Sequence, residues 1–339
     1  MTKAVFVTQQ IDPAHPNLGA ATGLVRGLAN EVDEVVVLAL RAVPGALPLN
    51  CRIREFGATS QVLRGAKFAE ALSQELVPRP RIVIAHMSPI YAVLAAPVCR
   101  PLGVPIVLWF THWRPSPTLR VAERVSSAIA TVDTSSFPFA SHKVHAIGHG
   151  VDVSTLPCRT RSEDATFRLL ALGRTSPAKG LEDVIDGVRR VRAAGLDARL
   201  EIRGPSETDE ERAHRARLVD LSGDGVAVED AVPHSELPRV FANTDLLVNA
   251  AAEGSLDKSV FEACASCVPV LASNPGFAGL LPPELLFARG DAADIAGKVT
   301  AFAARSAVER AALGHELRAR VERNHSTESW AKAILALGR

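Results

Sequence analysis

RLLALGRTSPAKGLEDVIDGV, residues 168–188, is the stretch that decides the fold. It begins as a short apolar run, passes through a polar loop that contains Pro177 and Gly180, and continues with apolar residues at helical spacing. A strand, a loop and a helix in this order form the repeating unit of a parallel α/β sheet. The same order recurs along the whole chain, which predicts a doubly wound α/β architecture.

The apolar runs fall into two sets, separated by the polar stretch CRTRSEDATF. Most runs lack the in-and-out alternation of a half-exposed sheet, so they predict parallel strands covered by helices on both faces. We therefore expect two Rossmann-like domains, residues 1–160 and 161–320, followed by residues 321–339. The predicted strands are AVFVTQ, EVVVLAL, CRIREFG, RIVIAHM, PIVLWFTH, AIATVDT and KVHAIGHG in the first domain, and RLLALGR, ARLEIRG, VAVEDAV, DLLVNAAA, PVLASNP and LLFARG in the second.

Composition excludes several classes of protein. With 339 residues, of which 47% are hydrophobic and 22% charged, the chain can bury a sizeable core and is not mainly disordered. A formal net charge of +1 and a single Tyr argue against nucleic-acid binding. Five Cys at uneven spacings do not form a disulfide framework, so we expect reduced thiols. The amino terminus turns polar after a few residues and predicts no export signal, which favours a cytoplasmic protein.

Two features bear on membranes. The stretch from Ile82 to Cys99 is uncharged and as long as a minimal spanning helix, but Pro89 and Pro97 within it predict a buried strand followed by a short helix. The first half of the chain carries a slight basic excess. This excess is compatible with an anionic acceptor or with peripheral contact to a membrane, and scattered solvated arginines are the simpler explanation.

Candidate ligand-binding residues follow the strands, because open parallel sheets bind ligands beyond the carboxyl ends of their strands. Gly19 lies between the first strand and a helix of small residues. A glycine there lets the backbone approach an anion, although an ordinary turn would also explain it. His112 follows the fifth strand and would face a cleft, whereas a histidine in mid-strand is more often part of the core.

The second domain offers residues suited to a nucleotide. Arg174 and Lys179 flank an exposed loop at the start of a helix, and two cations beside a helix amino terminus suit a diphosphate. A solvated basic loop is the alternative. Further on, Gly254 and Ser255 form a turn before another helix, whose amino terminus would add to the diphosphate site. Glu262 in this helix can accept both hydroxyl hydrogens of a ribose, or it is a surface charge.

Metal and redox motifs are not evident. Cys264 and Cys267 have CxxC spacing but fall at the end of a helix, where a thiolate is not stabilised, so we expect neither redox nor metal chemistry from them. The sequence contains no Asp-x-Asp, no GxGxxG and no GxxxxGK[ST]. We therefore expect no cofactor and no metal requirement, with the cationic loop neutralising the diphosphate.

GRTSPAKG, together with EGSLDKSVFEACASCVPVLASNPG further along, resembles the diphosphate loop and acidic helix of retaining glycosyltransferases of family 4. The resemblance extends over the chain through Gly19, His112, the GVD step at 150–152 and the final helix TESWAKAILAL. It implies the GT-B fold, with two Rossmann-like domains facing across a cleft and a last helix that crosses back to the first domain. It also implies transfer of a sugar from a nucleotide donor, a UDP- or GDP-sugar, with retained anomeric configuration.

The resemblance assigns a role to each candidate. Arg174 and Lys179 would hold the diphosphate, Glu262 the ribose hydroxyls, and His112 would face the donor sugar near the reacting carbon. We recognise no carboxylate that would act as a covalent nucleophile beside His112, so retention suggests a front-face route in which the departing phosphate helps to deprotonate the acceptor. The alternatives are a GT-B-like epimerase or hydrolase of nucleotide sugars and a non-catalytic sugar-nucleotide-binding partner.

The chain departs from the family pattern at three places. Gly254 stands where the first of two glutamates is usual, and Glu253 is one residue out of register. Ala20 replaces the second glycine of the first loop, and Cys267 replaces the glycine that commonly precedes the PV strand. The first departure bears on sugar specificity, and the other two bear on loop geometry.

Overall fold

The structure is a computed structural model that describes residues 2–15, 18–158, 166–254 and 256–338. The chain divides into two compact units. Unit 1 contains Met1–Asp152 and Asn324–Arg339, and unit 2 contains Val153–Arg323. The predicted boundary at residue 160 falls in the segment 159–165, outside the described residues.

Unit 1 is built on a seven-stranded parallel sheet with the strand order β3-β2-β1-β4-β5-β6-β7. Each apolar run predicted for the first domain forms one of these strands. The strands are β1 (Lys3–Ile11), β2 (Glu34–Ala42), β3 (Cys51–Glu55), β4 (Ile82–His86), β5 (Ile106–Trp109), β6 (Ala128–Thr131) and β7 (Val144–Ala146). The helices are α1 (Ala20–Ala29), α2 (Gln61–Gln74), α3 (Pro89–Cys99) and α4 (Pro117–Val125).

Unit 2 is built on a five-stranded parallel sheet with the order β10-β9-β8-β11-β12. The strands are β8 (Phe167–Leu172), β9 (Ala198–Arg203), β10 (Val226–Glu229), β11 (Leu246–Asn249) and β12 (Val270–Ala272). The helices are α5 (Leu181–Ala193), α6 (Asp209–Leu221), α7 (Leu237–Ala242), α8 (Lys258–Ala265), α9 (Ala292–Ala303) and α10 (Ala307–His325), of which α10 continues into unit 1. The strand order reverses between β8 and β11, and such a switch point opens a crevice for ligands.

One predicted strand is wrong. LLFARG, residues 285–290, forms only a single bridge, between Ala272 and Leu286. A short 3-10 turn over Pro283–Leu285 precedes it. Two residues after the bridge, the Ala288 amide donates to the Asp294 carboxylate at 2.8 Å and is no longer available to a strand ladder. The sheet therefore ends at β12.

The last helix of the chain, α11 (Thr327–Ala336), packs in unit 1. Its Trp330 is fully buried and meets the rings of Phe6 and Trp109 edge-on, with ring centroids 6.5 and 5.6 Å apart. Arg81 also donates from Nη2 to the Leu335 carbonyl at 3.0 Å. These contacts bury the apolar face of α11 against the sheet of unit 1.

The stretch from Ile82 to Cys99 forms strand β4 and helix α3, as predicted. Within the described ranges, no helix has the length and apolar composition needed to cross a membrane.

The cysteines depart from the expectation of reduced thiols. Cys158 and Cys267 form a disulfide, with their Cα atoms 5.1 Å apart. Cys264, the other half of the CxxC motif, is fully buried, and this burial raises the pKa of its thiol well above the ordinary value. Cys267 pairs with Cys158 instead, because it lies in the partly exposed turn after α8 and not inside the helix. The expectation is therefore wrong for these two residues.

Candidate functional site

The loop between β8 and α5 lies against the loop that follows β11. Gly180, the residue before α5, has a φ of 58°, a left-handed conformation that glycine adopts without steric cost. A Cβ at this position would lie 2.8 Å from the Ala250 carbonyl oxygen, so a larger residue would push the loops apart. The Ala252 amide also donates to the Ala178 carbonyl at 2.9 Å. The two loops thus meet at the switch point of the sheet.

Lys179 forms an ion pair that the sequence did not predict. Its Nζ lies 2.6 Å from Oδ1 and 2.5 Å from Oδ2 of Asp257, the residue that precedes α8. Asn249, the last residue of β11, donates from Nδ2 to Asp257 Oδ2 at 2.7 Å. The Lys179 and Asp257 side chains are only 20% and 13% exposed, so Lys179 is not the exposed loop cation that we expected.

Arg174 is also held by carboxylates. Its Nη1 lies 3.0 Å from Glu211 Oε1 and 3.7 Å from Glu207 Oε2. Glu211 is buried near the start of α6, where its Oε2 accepts the Glu207 amide at 2.7 Å and its own amide donates to the Thr208 hydroxyl. This capping arrangement fixes the Glu211 carboxylate, which in turn orients a guanidinium that stays 45% exposed.

Both cations of this cluster are paired with carboxylates. Arg174 and Lys179 line one small cavity together with Asn249. Glu211 and Asp257 each pair with one cation and Glu207 lies within 3.7 Å of Arg174, so the cations do not act as two uncompensated charges on a ligand. Both cations still keep N–H donors, since an ammonium has three and Asp257 takes two, while Arg174 meets the described carboxylates through Nη1 alone.

Glu262 lies on the second turn of α8, as predicted, and is 5% exposed. Its Oε1 lies 2.9 Å from Nε2 of His234, which comes from the 3-10 turn after β10. Since an ionised carboxylate only accepts, His234 must carry its proton on Nε2 in this pair. The pair fixes one carboxylate oxygen of Glu262 and leaves Oε2 as the oxygen for a further donor.

The turn before α8 is described in part. Gly254 has a φ of 109°, in the region that favours glycine, and Glu253 beside it is exposed. Ser255, predicted to contribute to the diphosphate site, lies outside the described residues. A glutamate at position 254 would therefore strain the backbone in this conformation.

Two predicted site residues belong to unit 1. Gly19 is the N-cap of α1, so it lies where the amide groups of a helix amino terminus point beyond β1. His112 lies in the loop after β5, and its Nδ1 accepts the Arg114 amide at 3.0 Å. A neutral imidazole that accepts at Nδ1 carries its proton on Nε2. His112 therefore presents a hydrogen-bond donor on the far side of the ring, next to the exposed indole of Trp113, on which it stacks.

Sequence analysis missed four residues of the site: Asn249, Asp257, Glu211 and His234. Asn249 and His234 follow apolar runs, so the rule that ligands bind beyond strand ends could have found them. Asp257 and Glu211 carry only the signals of helix starts, which occur at most helices.

Residues 166–305 match the family described as glycosyl transferases group 1, and this span contains the whole cluster around Lys179 and Glu262. No curated protein matches the chain. Among solved structures, sucrose-phosphate synthase from Thermosynechococcus elongatus is similar with a TM-score of 0.76 at 15% identity, covering 99% of this chain and 98% of that one. HepE of Anabaena, in complex with UDP and glucose, has a TM-score of 0.74 at 14% identity, covering 98% of both chains.

A third similar structure is α,α-trehalose 6-phosphate synthase from Burkholderia multivorans, with a TM-score of 0.70 at 15% identity over 100% of this chain and 98% of that one. Likeness at such low identity establishes the fold. The chain thus has the GT-B fold predicted from its sequence, and most of its second unit matches the glycosyl transferases group 1 family.

Proposed function

We propose that this protein is a retaining glycosyltransferase that uses a nucleotide-sugar donor, and that the cluster at the switch point of unit 2 binds the donor diphosphate. The observation that carries the proposal is the convergence of Arg174, Lys179 and Asn249 on one cavity, inside the span that matches glycosyl transferases group 1. HepE, a protein of similar fold, has been solved with UDP-glucose, which supports a UDP-sugar as the first donor to test.

Asp257 orients Lys179 in this site. The ammonium donates to both oxygens of Asp257 and has a third N–H for a phosphate oxygen. Arg174 adds the N–H groups of Nη2 and Nε, and the amino terminus of α8 adds backbone donors after Gly254 and Ser255. The diphosphate is thus held by directed N–H donors of cations that are already paired with carboxylates.

In this proposal Glu262 and His112 keep the roles that the family resemblance assigns to them. Glu262 accepts from the ribose hydroxyls through Oε2, because His234 already holds Oε1. His112 donates from Nε2 to a hydroxyl of the donor sugar, and the Arg114 amide keeps the ring in the tautomer that this requires.

Cleavage of the glycosyl–phosphate bond builds negative charge on the departing diphosphate and positive charge on the sugar ring. Donors fixed in advance at the leaving group stabilise this charge separation more than they stabilise the bound donor, so they accelerate the reaction. Retention follows a front-face route, in which the departing phosphate oxygen accepts the acceptor's proton and the new bond forms on the face that the diphosphate leaves.

The transfer is metal-independent in this proposal. Enzymes that neutralise a diphosphate with Mg²⁺ present carboxylates that are open to the ion. In the described part of the chain, Glu211 and Asp257 pair with the two cations that line the cavity, and both oxygens of Asp257 accept from Lys179. Asp257 is therefore occupied by a side-chain cation.

The experiment that tests the function is nucleotide release from a panel of UDP- and GDP-sugars, measured with and without a mixture of candidate acceptors. We expect release that depends on acceptor, together with formation of a glycosylated product. Lys179→Met should abolish most of this release, while Lys298→Met, which removes a lysine from α9 in the same unit, should not.

The other outcomes contradict the proposal. Release that proceeds equally without acceptor would indicate a hydrolase. An isomerised sugar without release would indicate an epimerase, and nucleotide binding without any turnover across the panel would indicate a non-catalytic binding protein.

A further inference from the structure

The disulfide of unit 2 lies beside two basic side chains from α10. His315 Nδ1 is 3.4 Å from Cys267 Sγ, and Arg318 Nη1 is 3.7 Å from Cys158 Sγ. The two sulfur atoms and a ring nitrogen of His315 all lie within 4.8 Å of one another. Both cysteines are partly exposed and His315 is exposed, so the cluster lies at the surface of unit 2.

The backbone at Cys267 gives a second, independent observation. Cys267 has a φ of 60° and follows the C-cap residue of α8, a position that glycine normally occupies because it adopts this conformation freely. A side chain at such a position strains the backbone, and strain of this kind is retained where the side chain has a use. At Cys267 the side chain contributes a reactive sulfur.

Cys158 is held in place by contacts other than the disulfide. Arg318 Nη1 donates to the carbonyl of Leu156 at 2.5 Å and to the carbonyl of Ala265 at the end of α8. Its Nη2 lies 3.4 Å from the Val153 carbonyl. These bonds fix the segment before Cys158 to α8 and α10, so the two sulfur atoms stay neighbours when the disulfide is reduced and the bond can form again.

We propose that Cys158 and Cys267 are a thiol–disulfide exchange site whose substrates are low-molecular-weight thiols and their disulfides. A small thiolate attacks Cys267 Sγ, the sulfur–sulfur bond breaks, and the electron pair leaves on Cys158 Sγ, where Arg318 stabilises the thiolate. A second small thiol then attacks the mixed disulfide, and Cys267 leaves with a proton relayed by His315. Two small thiols are oxidised to one disulfide, and the protein gains two electrons and two protons.

Exchange explains the cluster better than a bound metal does. Two sulfurs and one imidazole could ligate zinc, and such a site would need both thiolates close to a dication. The guanidinium of Arg318 pairs with Glu322 through Nε at 2.8 Å, while its Nη1 lies against Cys158 Sγ, where it disfavours a cation and can donate to a thiolate. The basic neighbours thus favour thiol chemistry, and zinc binding becomes an outcome of the test.

The test counts and follows thiols in the full-length protein. Protein purified without reductant, then unfolded and alkylated with iodoacetamide, should show three labelled cysteines by intact mass: Cys51, Cys99 and Cys264. After reduction with dithiothreitol all five should be labelled. Reduced glutathione added to the native protein should open the cross-link while circular dichroism shows that the chain stays folded, and oxidised glutathione should close it again.

Two variants separate exchange from a merely structural cross-link. Cys158→Ser should trap a glutathione adduct on Cys267 when oxidised glutathione is added, seen by peptide mass. His315→Gln should slow the exchange by about a hundredfold, the lower end of what a positioned acid–base group contributes. Glu316→Gln, a change at the neighbouring exposed position on α10, should leave the rate unchanged.

Three results would overturn the proposal. The first is labelling of all five cysteines before reduction. The second is a cross-link that opens only when the protein unfolds. The third is one zinc ion per chain, detected by elemental analysis, that protects the two thiols from alkylation. None of these readouts depends on sugar transfer, so the proposal stands or falls separately from the proposed function.

Discussion

Removal of the Lys179 ammonium should destabilise unit 2, because it leaves the Asp257 carboxylate mostly buried without its counterion. The change to make is Lys179→Met, which keeps the length of the side chain. The second single variant is Asp257→Asn, which keeps the shape of the side chain. Its amide can rotate so that its oxygen still accepts the hydrogen bond from Asn249 Nδ2. The double variant removes both charges together.

The magnitude follows from the short distances and the low exposure of this pair. Two unit charges roughly 3 Å apart attract by about 5–6 kcal/mol at an effective dielectric constant of about 20. Desolvation of the two groups offsets much of this attraction, and the remaining exposure weakens it further. We therefore expect Lys179→Met to lower the free energy of unfolding by about 2–3 kcal/mol. The free energy of unfolding that the double variant loses should be smaller, by at least about 1 kcal/mol, than the sum of the losses in the two single variants. This difference is the coupling between the two groups.

Urea unfolding followed by two probes measures the effect. Trp109, Trp113 and Trp330 all belong to unit 1, so tryptophan fluorescence reports on that unit, while circular dichroism reports on both. With a slope of about 2 kcal/mol per molar urea, the dichroism transition of Lys179→Met should move down by roughly 1–1.5 M. The fluorescence transition serves as the internal reference.

A matched ion pair supplies the control. Arg190 and Asp186 form an (i, i+4) pair on α5 whose side chains are 56% and 50% exposed. The same double-variant cycle on this pair should give a coupling of only about 0.3–0.5 kcal/mol. If the Lys179 and Asp257 changes add within about 0.5 kcal/mol, or couple no more strongly than the control pair, the two groups do not stabilise one another and the account of the site is refuted.

Glu262→Gln should weaken UDP binding by about tenfold or more in calorimetric titration, because the amide loses charge-assisted acceptance from the ribose hydroxyls. Glu253→Gln, at an exposed position, should leave UDP affinity unchanged. A larger loss of affinity in Glu253→Gln than in Glu262→Gln would refute the assignment of Glu262. His112→Ala should keep UDP affinity within about twofold and lower turnover, and an equal loss of both would remove it from the sugar end. Turnover in excess EDTA should match turnover with magnesium within about threefold, whereas a hundredfold loss restored by metal would contradict metal independence. Burial lowers the pKa of His325 to about 4 from 6.5. Between pH 6.5 and pH 4 the unfolded chain binds a proton at His325 and the folded chain does not. The free energy of unfolding of unit 1 should therefore fall by about 3 kcal/mol as the pH drops through this range. His325→Gln should flatten that slope in fluorescence-monitored urea titrations, and an unchanged slope would show that another group causes it.

The strands were predictable because a parallel strand covered on both faces needs a continuous apolar run. Val35 to Leu38 in β2 and Ile82 to Ala85 in β4 are fully or almost fully buried, as expected for strands covered on both faces. LLFARG has the same local composition, yet its strand is cut short by the Asp294 carboxylate that takes the Ala288 amide. That competitor lies outside the run, so the run itself does not reveal it.

The candidate site was predictable only as far as its chemistry is local. Lys179 could be selected because its loop follows β8, and Glu262 because its helix follows β11, but the partner of Lys179 lies 78 residues away. Likewise, the sequence places Cys267 in a CxxC motif and predicts a reduced thiol, whereas in the structure it pairs with a cysteine 109 residues away. Asp257 stands before a helix and Cys158 stands in a polar stretch, and neither position indicates in the sequence that the residue has a distant partner. The pairing of Arg174 and Lys179 with carboxylates therefore could not be deduced from the loop between β8 and α5.

The parallel bridge between Val151 and Ser326 makes the chain divisible. The Val151 amide donates to the His325 carbonyl at 2.7 Å, and the Thr327 amide donates to the Val151 carbonyl at 2.9 Å, so the segment that leaves unit 1 runs beside the segment that returns to it. Unit 2 is thus an insertion whose two junctions are already neighbours. A gene in which residue 152 is joined to residue 324 through a few glycines and serines should encode unit 1 as one continuous polypeptide, and residues 153–323 can be expressed from a second gene without any permutation.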